Sequence, residues 1–242
     1  MSLLTNAGPI DYSLVRSSRR RTMEISITDH LEVKVAAPRF VPQKEIHEFI
    51  QEKAGWIIRK LDEAYHVKKI IEKKQYGHGH EYLFLGNKYP LSVGLTERRT
   101  PAIDFEGDCW NILLPADTGP EAQSRVIKKT LMGWYRTQAE EVLGGRIFYY
   151  ARMMDLRPKK IAIRSQKRIW GSCHYTSGAI NLNWQLVMTP MEVIDYVVVH
   201  ELAHLEVPDH SRRFWKRVEK TLPDYKIRQK WLKERILDMV LP

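Results

Sequence analysis

Over the first 115 residues, apolar and polar positions alternate more often than they cluster. Met23-Glu-Ile25-Ser-Ile27 and Leu31-Glu-Val33-Lys-Val35 put apolar side chains on every second position, the period of a half-buried strand. With a turn at 28–30 the two runs predict a hairpin, closed by Pro38 and Pro42. Tyr82-Leu-Phe84-Leu85 and Tyr89-Pro-Leu91-Ser-Val93, joined by Gly86-Asn87-Lys88, predict a second hairpin, and Ala102 to Phe105 with Trp110 to Leu114 a third. Between the first two, Ile46, Phe49, Ile50, Trp56, Ile57 and Leu61 recur at helical spacing, so one amphipathic helix is expected over 43–64 despite Gly55. The residues before Tyr12 read as a polar lead, and no internal repeat is evident.

After Pro115 the period changes. Thr118-Gly-Pro120-Glu121 has the form of a capping box with proline in the first turn. Val126, Ile127, Leu131, Trp134, Tyr135, Ala139, Val142 and Leu143 carry that helix on to Gly144-Gly145, a candidate break, after which Phe148-Tyr149-Tyr150 and Met153-Met154 continue a helical pattern to Asp155. Strands follow at 161–164 and 178–184 with a turn at Trp170-Gly-Ser-Cys173 between them. Thr189-Pro-Met-Glu192, a second capping box, then starts a helix about ten residues before His200.

That helix carries the chemistry. In Val197-Val-Val-His200-Glu201-Leu-Ala-His204-Leu205 the two histidines lie one turn apart on one face, where two imidazoles can hold one metal ion. Glu201 falls on the rim of that face, the general-base position of the His-Glu-x-x-His metallopeptidases. Aliphatic residues on both sides predict burial, and buried imidazoles and carboxylates are costly unless paired or bound to metal. A catalytic zinc takes three protein ligands and keeps one position open, so a third ligand is required. Pro208 should end the helix near Val207, and a turn at 206–210 brings His210 back towards the metal. His210 is favoured, with Glu206, Asp209 and Glu219 as competitors; Glu219 would make the site thermolysin-like. The spacing 200, 204, 210 matches the extended metzincin motif, but Val207 stands where that motif needs glycine, which excludes a true metzincin. Cys173 reads as a small apolar residue rather than a ligand, His78 and His80 as loop residues rather than a metal clip, Tyr196 as packing, and Phe214, Trp215, Val218 and Leu222 as core.

The 242 residues, 43% of them hydrophobic, suffice for a packed core, and no stretch approaches the roughly 18 apolar residues of a membrane span. With no apolar signal core in the first 22 residues and cysteines only at Cys109 and Cys173, a cytoplasmic chain with reduced thiols is expected. The net charge of +10 favours polyanions without proving that one is bound. Its placement is informative. Arg212, Arg213, Lys216, Arg217, Lys220, Lys226, Arg228, Lys230, Lys233 and Arg235 face only Glu219, Asp224 and Glu234 over 211–235, a basic surface that either binds DNA or RNA without sequence preference or is a solvated helix face.

Trp170-Gly-Ser-Cys173, Ile180-Asn-Leu-Asn-Trp184, Tyr196 to His204, His210-Ser211 with Phe214-Trp215, and Pro223-Asp-Tyr225 with Trp231-Leu232 together resemble the YgjP-like family of metal-dependent hydrolases, relatives of the SprT-like and WLM zinc peptidases. Tyr12 to Pro38 and Tyr82 to Leu91 are similar to that family's N-terminal half. The resemblance implies one zinc per chain at His200, His204 and His210, with Glu201 as catalytic base, but it supplies no substrate; the leading reading of the site is a zinc-dependent peptidase acting on a peptide or protein. It implies an α+β fold in which a zincin-like metallopeptidase domain over 116–242 follows a β-hairpin-rich N-terminal region with one helix over 1–115. The strand Ile180 to Trp184 would then be the edge strand offered to an extended peptide, and Arg168, His174 or Tyr175 the donor to the developing oxyanion. A zinc hydrolase of a non-peptide amide, and a nucleic-acid-binding protein with a structural metal, are the alternative readings.

Overall fold

The structure, a computed structural model, describes residues 1–28, 30–73, 76–166 and 169–235. By packing, the chain divides into two compact units, residues 1–74 and 75–241.

The first unit is a four-stranded sheet with one helix. Strands β1 (Ser2–Thr5), β2 (Gly8–Ser17), β3 (Glu24–Ile27) and β4 (Val33–Pro38) lie in the order β1-β2-β4-β3, followed by helix α1 (Gln43–Lys73). β3 and β4 form the expected antiparallel hairpin, with Ile25 opposite Val35. The stretch read as a polar lead is instead β1 paired with β2, because its alternation is carried by Thr5, Ile10 and Tyr12, which the weakly apolar surroundings conceal. Val33, Val35 and Ala37 of β4 point to one side, where Ile46, Ile50, Ala54 and Ile57 of α1 cover them.

The second unit opens on the same plan. β5 (Glu81–Phe84), β6 (Asn87–Thr96), β7 (Ala102–Phe105) and β8 (Trp110–Pro115) lie in the order β5-β6-β8-β7 and lead into helix α2 (Pro120–Met153). The strand lengths are 4, 10, 4 and 6 residues in both units. The registers correspond as well: Tyr12 is opposite Val33 in the parallel pair β2–β4, and Leu91 opposite Trp110 in β6–β8. A ββββα unit is therefore repeated, contrary to the expectation from sequence. Its traces in the sequence are sparse: Arg21-Thr22 and Arg99-Thr100, Pro38 and Pro115, Gly55-Trp56 and Gly133-Trp134. Burial alternation can be kept by many residue pairs, so Val33-Val35-Ala37 and Trp110-Ile112-Leu114 do one job with no identity between them.

The rest of the second unit is built on α2. It runs unbroken through Gly144 and Gly145, since Leu143, Ile147 and Tyr150 hold both sides of the glycines in the core. The stretch 115–120, expected to be a domain boundary, joins β8 to α2, and both bury residues in one cluster. Beyond α2 come β9 (Lys160–Arg164), β10 (Gly171–His174) and β11 (Ala179–Asn183), then a 3₁₀ turn at Trp184–Met188. Helices α3 (Met191–Ala203), α4 (Arg212–Thr221) and α5 (Tyr225–Glu234) complete the unit. Neither capping box forms: the residues that cap α2 and α3 are Gly119 and Pro190, and the Thr189 hydroxyl donates back to the Leu186 carbonyl. Among the described residues no helix is long and apolar enough to cross a membrane.

Candidate metal centre

Ten of the thirteen residues of α3 are buried, so this helix is apolar nearly all round and is held from several sides. From α2, Arg146 donates to both carboxylate oxygens of Asp195, at 2.6 and 2.9 Å, which pairs a charge that is only 7% exposed. From α5, Arg228 donates to the Glu192 carbonyl, and Gln229 to the Tyr196 hydroxyl. From the sheet side, the amides of Leu85 and Gly86 at the tip of the β5–β6 hairpin donate to the carbonyls of Val187 and Met188, immediately before α3 begins. Gly86 has φ +86°, and a Cβ there would lie 2.7 Å from Pro190, so both the turn and the contact need glycine.

Helical spacing places His200 and His204 on one face of α3, and the turn after Val207 returns His210 to them. Nε2 of His210 lies 3.0 Å from Nε2 of His200 and 3.2 Å from Nε2 of His204. A tetrahedral zinc with imidazole nitrogens at about 2.0–2.1 Å needs them about 3.3 Å apart, so the three rings fit one ion with little adjustment. Among the described residues they form the one group able to hold a metal. His204 Nδ1 is 3.0 Å from the Val207 carbonyl, which fixes the ring and leaves Nε2 as the free donor atom. His200 has no such tether among the described residues, and packing orients it instead: Tyr196 and Phe214 meet its ring edge-on, at centroid distances of 5.9 and 4.9 Å. Phe214 is fully buried and touches all three imidazoles, with centroids 4.9, 4.4 and 4.9 Å away, while Trp215 reaches His200 and His210 and stacks on Tyr225. These two aromatics were expected only in the core. The sequence signal that could have singled them out is their place in the first turn of the helix that starts two residues after His210.

The other candidates are elsewhere. Glu219 lies exposed on α4 and outside the cluster, Glu206 pairs with Arg217, and Asp209 accepts from the Ser211 amide. Ser211 and the nearby charges lower the Asp209 carboxyl below its usual range. His78 accepts from the Val93 amide in an exposed loop.

The electrostatics follow burial. It drives the His200 ring down to about 3, helped by the neighbouring His204 and His210, and lowers His204 too, so both rings are neutral and able to ligate near pH 7. Glu201, 6% exposed, is pushed up to about 8 by burial. Its carboxyl lies against β10: a Cβ on Gly171 would be 2.6 Å from Oε1. The Cys173 thiol is lifted to about 11, by burial first and by the nearby Glu201 carboxylate second.

The sequence expectation for the sheet is corrected here. β11, which contains Ile180 to Asn183, is the middle strand, antiparallel to β10 and parallel to β9. Trp170-Gly-Ser-Cys173 is no turn, since β10 begins at Gly171, and β10 is the outer strand that packs on α3. Middle and edge strands have the same alternation, so only strand order separates them. Of the expected oxyanion donors, His174 ends β10 and is exposed, Tyr175 is exposed beyond it, and Arg168 lies outside the described residues.

A sequence profile described as a YgjP-like metallopeptidase domain matches residues 21–235. The chain belongs to the YgjP-like metallopeptidase family. It is accordingly a metal-dependent hydrolase, and the match takes in β3, β4 and α1 of the first unit, the whole second ββββα unit and the histidine cluster. No curated protein gives a significant match. Among solved structures the chain is similar to the metallopeptidase zymogen of Pyrococcus abyssi abylysin, at 26% identity over 42% of this chain and 94% of that one, with a TM-score of 0.33. The mechanism of this YgjP-like chain therefore rests on its own geometry.

Proposed function

We propose that the protein is a zinc-dependent peptidase in which His200, His204 and His210 hold one zinc ion and Glu201 is the general base. The convergence of three Nε2 atoms to about 3 Å beside a buried carboxylate carries this reading. His210 is exposed, so the cluster is open on one side, as a catalytic site requires and a closed structural site does not. Zinc bound there supplies a Lewis acid that acidifies water and polarises the scissile carbonyl. Glu201 accepts the proton of the attacking water and returns it to the leaving amine. Gly171 leaves room for that carboxylate at the margin of β10. The outer side of β10 can take an extended peptide by strand addition, with backbone hydrogen bonds holding it beside Glu201. This open strand favours a peptide over a small amide as substrate.

Metal analysis of purified protein, wild type beside His200→Ala, His204→Ala and His210→Ala, tests the ligand set. Stoichiometric zinc in the wild type and loss in each variant are expected. Full zinc retention in His210→Ala, with loss in Glu219→Ala, would replace the third ligand.

A further inference from the structure

The basic surface expected from the sequence is narrower in the folded chain. Arg217 is held by Glu206 and by the Met154 carbonyl, and Arg228 by Asp224, Asp195 and the Glu192 carbonyl. These two arginines are structural. Arg213, Lys216 and Lys220 differ. They stand at i, i+3 and i+7 on one face of α4 and all three line one open cavity of about 730 Å³; among the described residues no ion pair within 4 Å or hydrogen bond engages them, and Arg213 is near enough to the Asp209 carboxylate to help lower it. Like charges at this spacing repel one another. The first turn of α4 adds Arg212 and contains no acidic residue, although the helix dipole favours anions there. The cavity also receives Asp155 and the already paired Glu206, which leaves its cations in excess.

On its other side the cavity is lined by Met153 and Met154 at the end of α2. Met153 is 54% exposed, and one turn before it on the same helix face is Tyr149, 48% exposed; beside them Phe148 is 65% exposed beneath the Arg152 guanidinium. Tyr149 thus stands one turn along α2 from the cationic hollow, with Phe148 on the adjoining side of the helix; the Arg146 guanidinium lies over one face of the Tyr149 ring. An acidic polypeptide would use the cations alone. A single-stranded nucleic acid uses both, with phosphates on the cations and unpaired bases on the rings.

We propose that this surface binds single-stranded nucleic acid without sequence preference, its phosphates at Arg213, Lys216 and Lys220 and its bases on Phe148 and Tyr149. Glu206 and Val207 line the cavity and belong to the turn between His204 and His210, so the strand would lie beside the metal centre. The proposal concerns binding alone and stands whether or not the zinc assignment holds.

The test is a fluorescence-anisotropy titration of a labelled oligothymidylate with the full chain, between about 50 and about 200 mM salt. Three variants are compared with wild type, each checked for an unchanged melting curve: Arg213→Gln/Lys216→Gln/Lys220→Gln, Phe148→Ala/Tyr149→Ala, and Lys226→Gln/Lys230→Gln/Lys233→Gln, which removes equal charge from α5. The first should weaken affinity about tenfold or more and lower the salt slope by about two, because each phosphate neutralised on a single strand adds about 0.7 to that slope. The aromatic variant should weaken binding about fivefold or more while keeping the slope, since stacking releases no counterions. The α5 variant should stay close to wild type at the higher salt, where distant charges are screened. Absence of binding at low salt, or equal weakening in both lysine-containing triples, would overturn the site. Polyglutamate binding as tightly as the oligonucleotide would assign the cavity to acidic polypeptides instead. An aromatic variant that binds like wild type would remove the single-strand part of the proposal.

Discussion

The two ββββα units share strand order, strand lengths and register, yet their cores are filled with different residues. On β4, Val33, Val35 and Ala37 meet the aliphatic face of α1 in a small core with one buried tyrosine, Tyr12. At the equivalent places on β8 stand Trp110, Ile112 and Leu114, and Trp110 joins Tyr82, Phe84, Tyr89, Phe105, Trp134 and Tyr135 in one aromatic cluster. The larger side chains fill a thicker core that α2 shares with the 3₁₀ turn and α3, the helix that carries His200 and His204. The same backbone plan therefore holds a small aliphatic core in one place and supports the candidate metal centre in the other. Side-chain volume, and the elements that come after the helix, make the difference.

The largest expected effect isolates the chemistry within the second unit. Glu201→Gln keeps shape and removes the proton acceptor, so turnover of an unfolded protein substrate should fall about 10²- to 10⁴-fold with zinc content unchanged. Undiminished turnover would remove Glu201 from the mechanism.

Next come the two cores. Trp110→Ala should cost about 3–5 kcal/mol, and the equivalent Val33→Ala about 2 kcal/mol, by denaturant titration. If the cores are as separate as their packing, Trp110→Ala lowers zinc retention on mild heating and Val33→Ala does not. Equal zinc loss in both would show that the first unit supports the site too.

A smaller effect is expected at Gly171, whose added Cβ would meet the Glu201 carboxyl at 2.6–2.8 Å. Gly171→Ala should displace that carboxyl and reduce turnover by about 10²-fold or less, again with zinc bound. Wild-type rates in this variant would mean that Glu201 is free to move away from β10.

The least effect is on the pH dependence of the chelated protein. Glu201, raised by burial from 4.5 to about 8, holds its proton in the folded state after the unfolded chain has lost it, so stability falls as pH rises through that window. His200, lowered from 6.5 to about 3, stays neutral when the unfolded chain takes up a proton, so stability falls as pH drops below 6.5. Between pH 6.5 and 8 only the Glu201 effect operates. Melting temperatures of Glu201→Gln should be flatter there than those of wild type, and identical slopes would show that the carboxyl is better solvated than its burial indicates.

Local pattern was enough for much of this molecule. The hairpins β3–β4, β5–β6 and β7–β8 are each two alternating runs around a short turn, and their partners are neighbours in sequence. The spacing of His200, Glu201 and His204 is likewise a statement about one helix, and the break at Pro208 brings His210 within reach of it. What the chain pattern does not contain is the choice of partner at long range. Parallel pairing of β2 with β4 and of β6 with β8, and the position of β10 outside β11, depend on which strands meet, and alternation is the same for every choice. The repeat was hidden for the same reason, because burial constrains size and polarity and leaves identity free. Only the folded chain puts Gly171 under Glu201 and Phe214 beneath three imidazoles, and it alone separates the tied Arg217 from the unpaired Arg213, Lys216 and Lys220. Sequence determined which chemistry this protein carries; tertiary packing decided which surfaces that chemistry faces, because contacts between distant residues are set by the whole core and not by any one stretch of it.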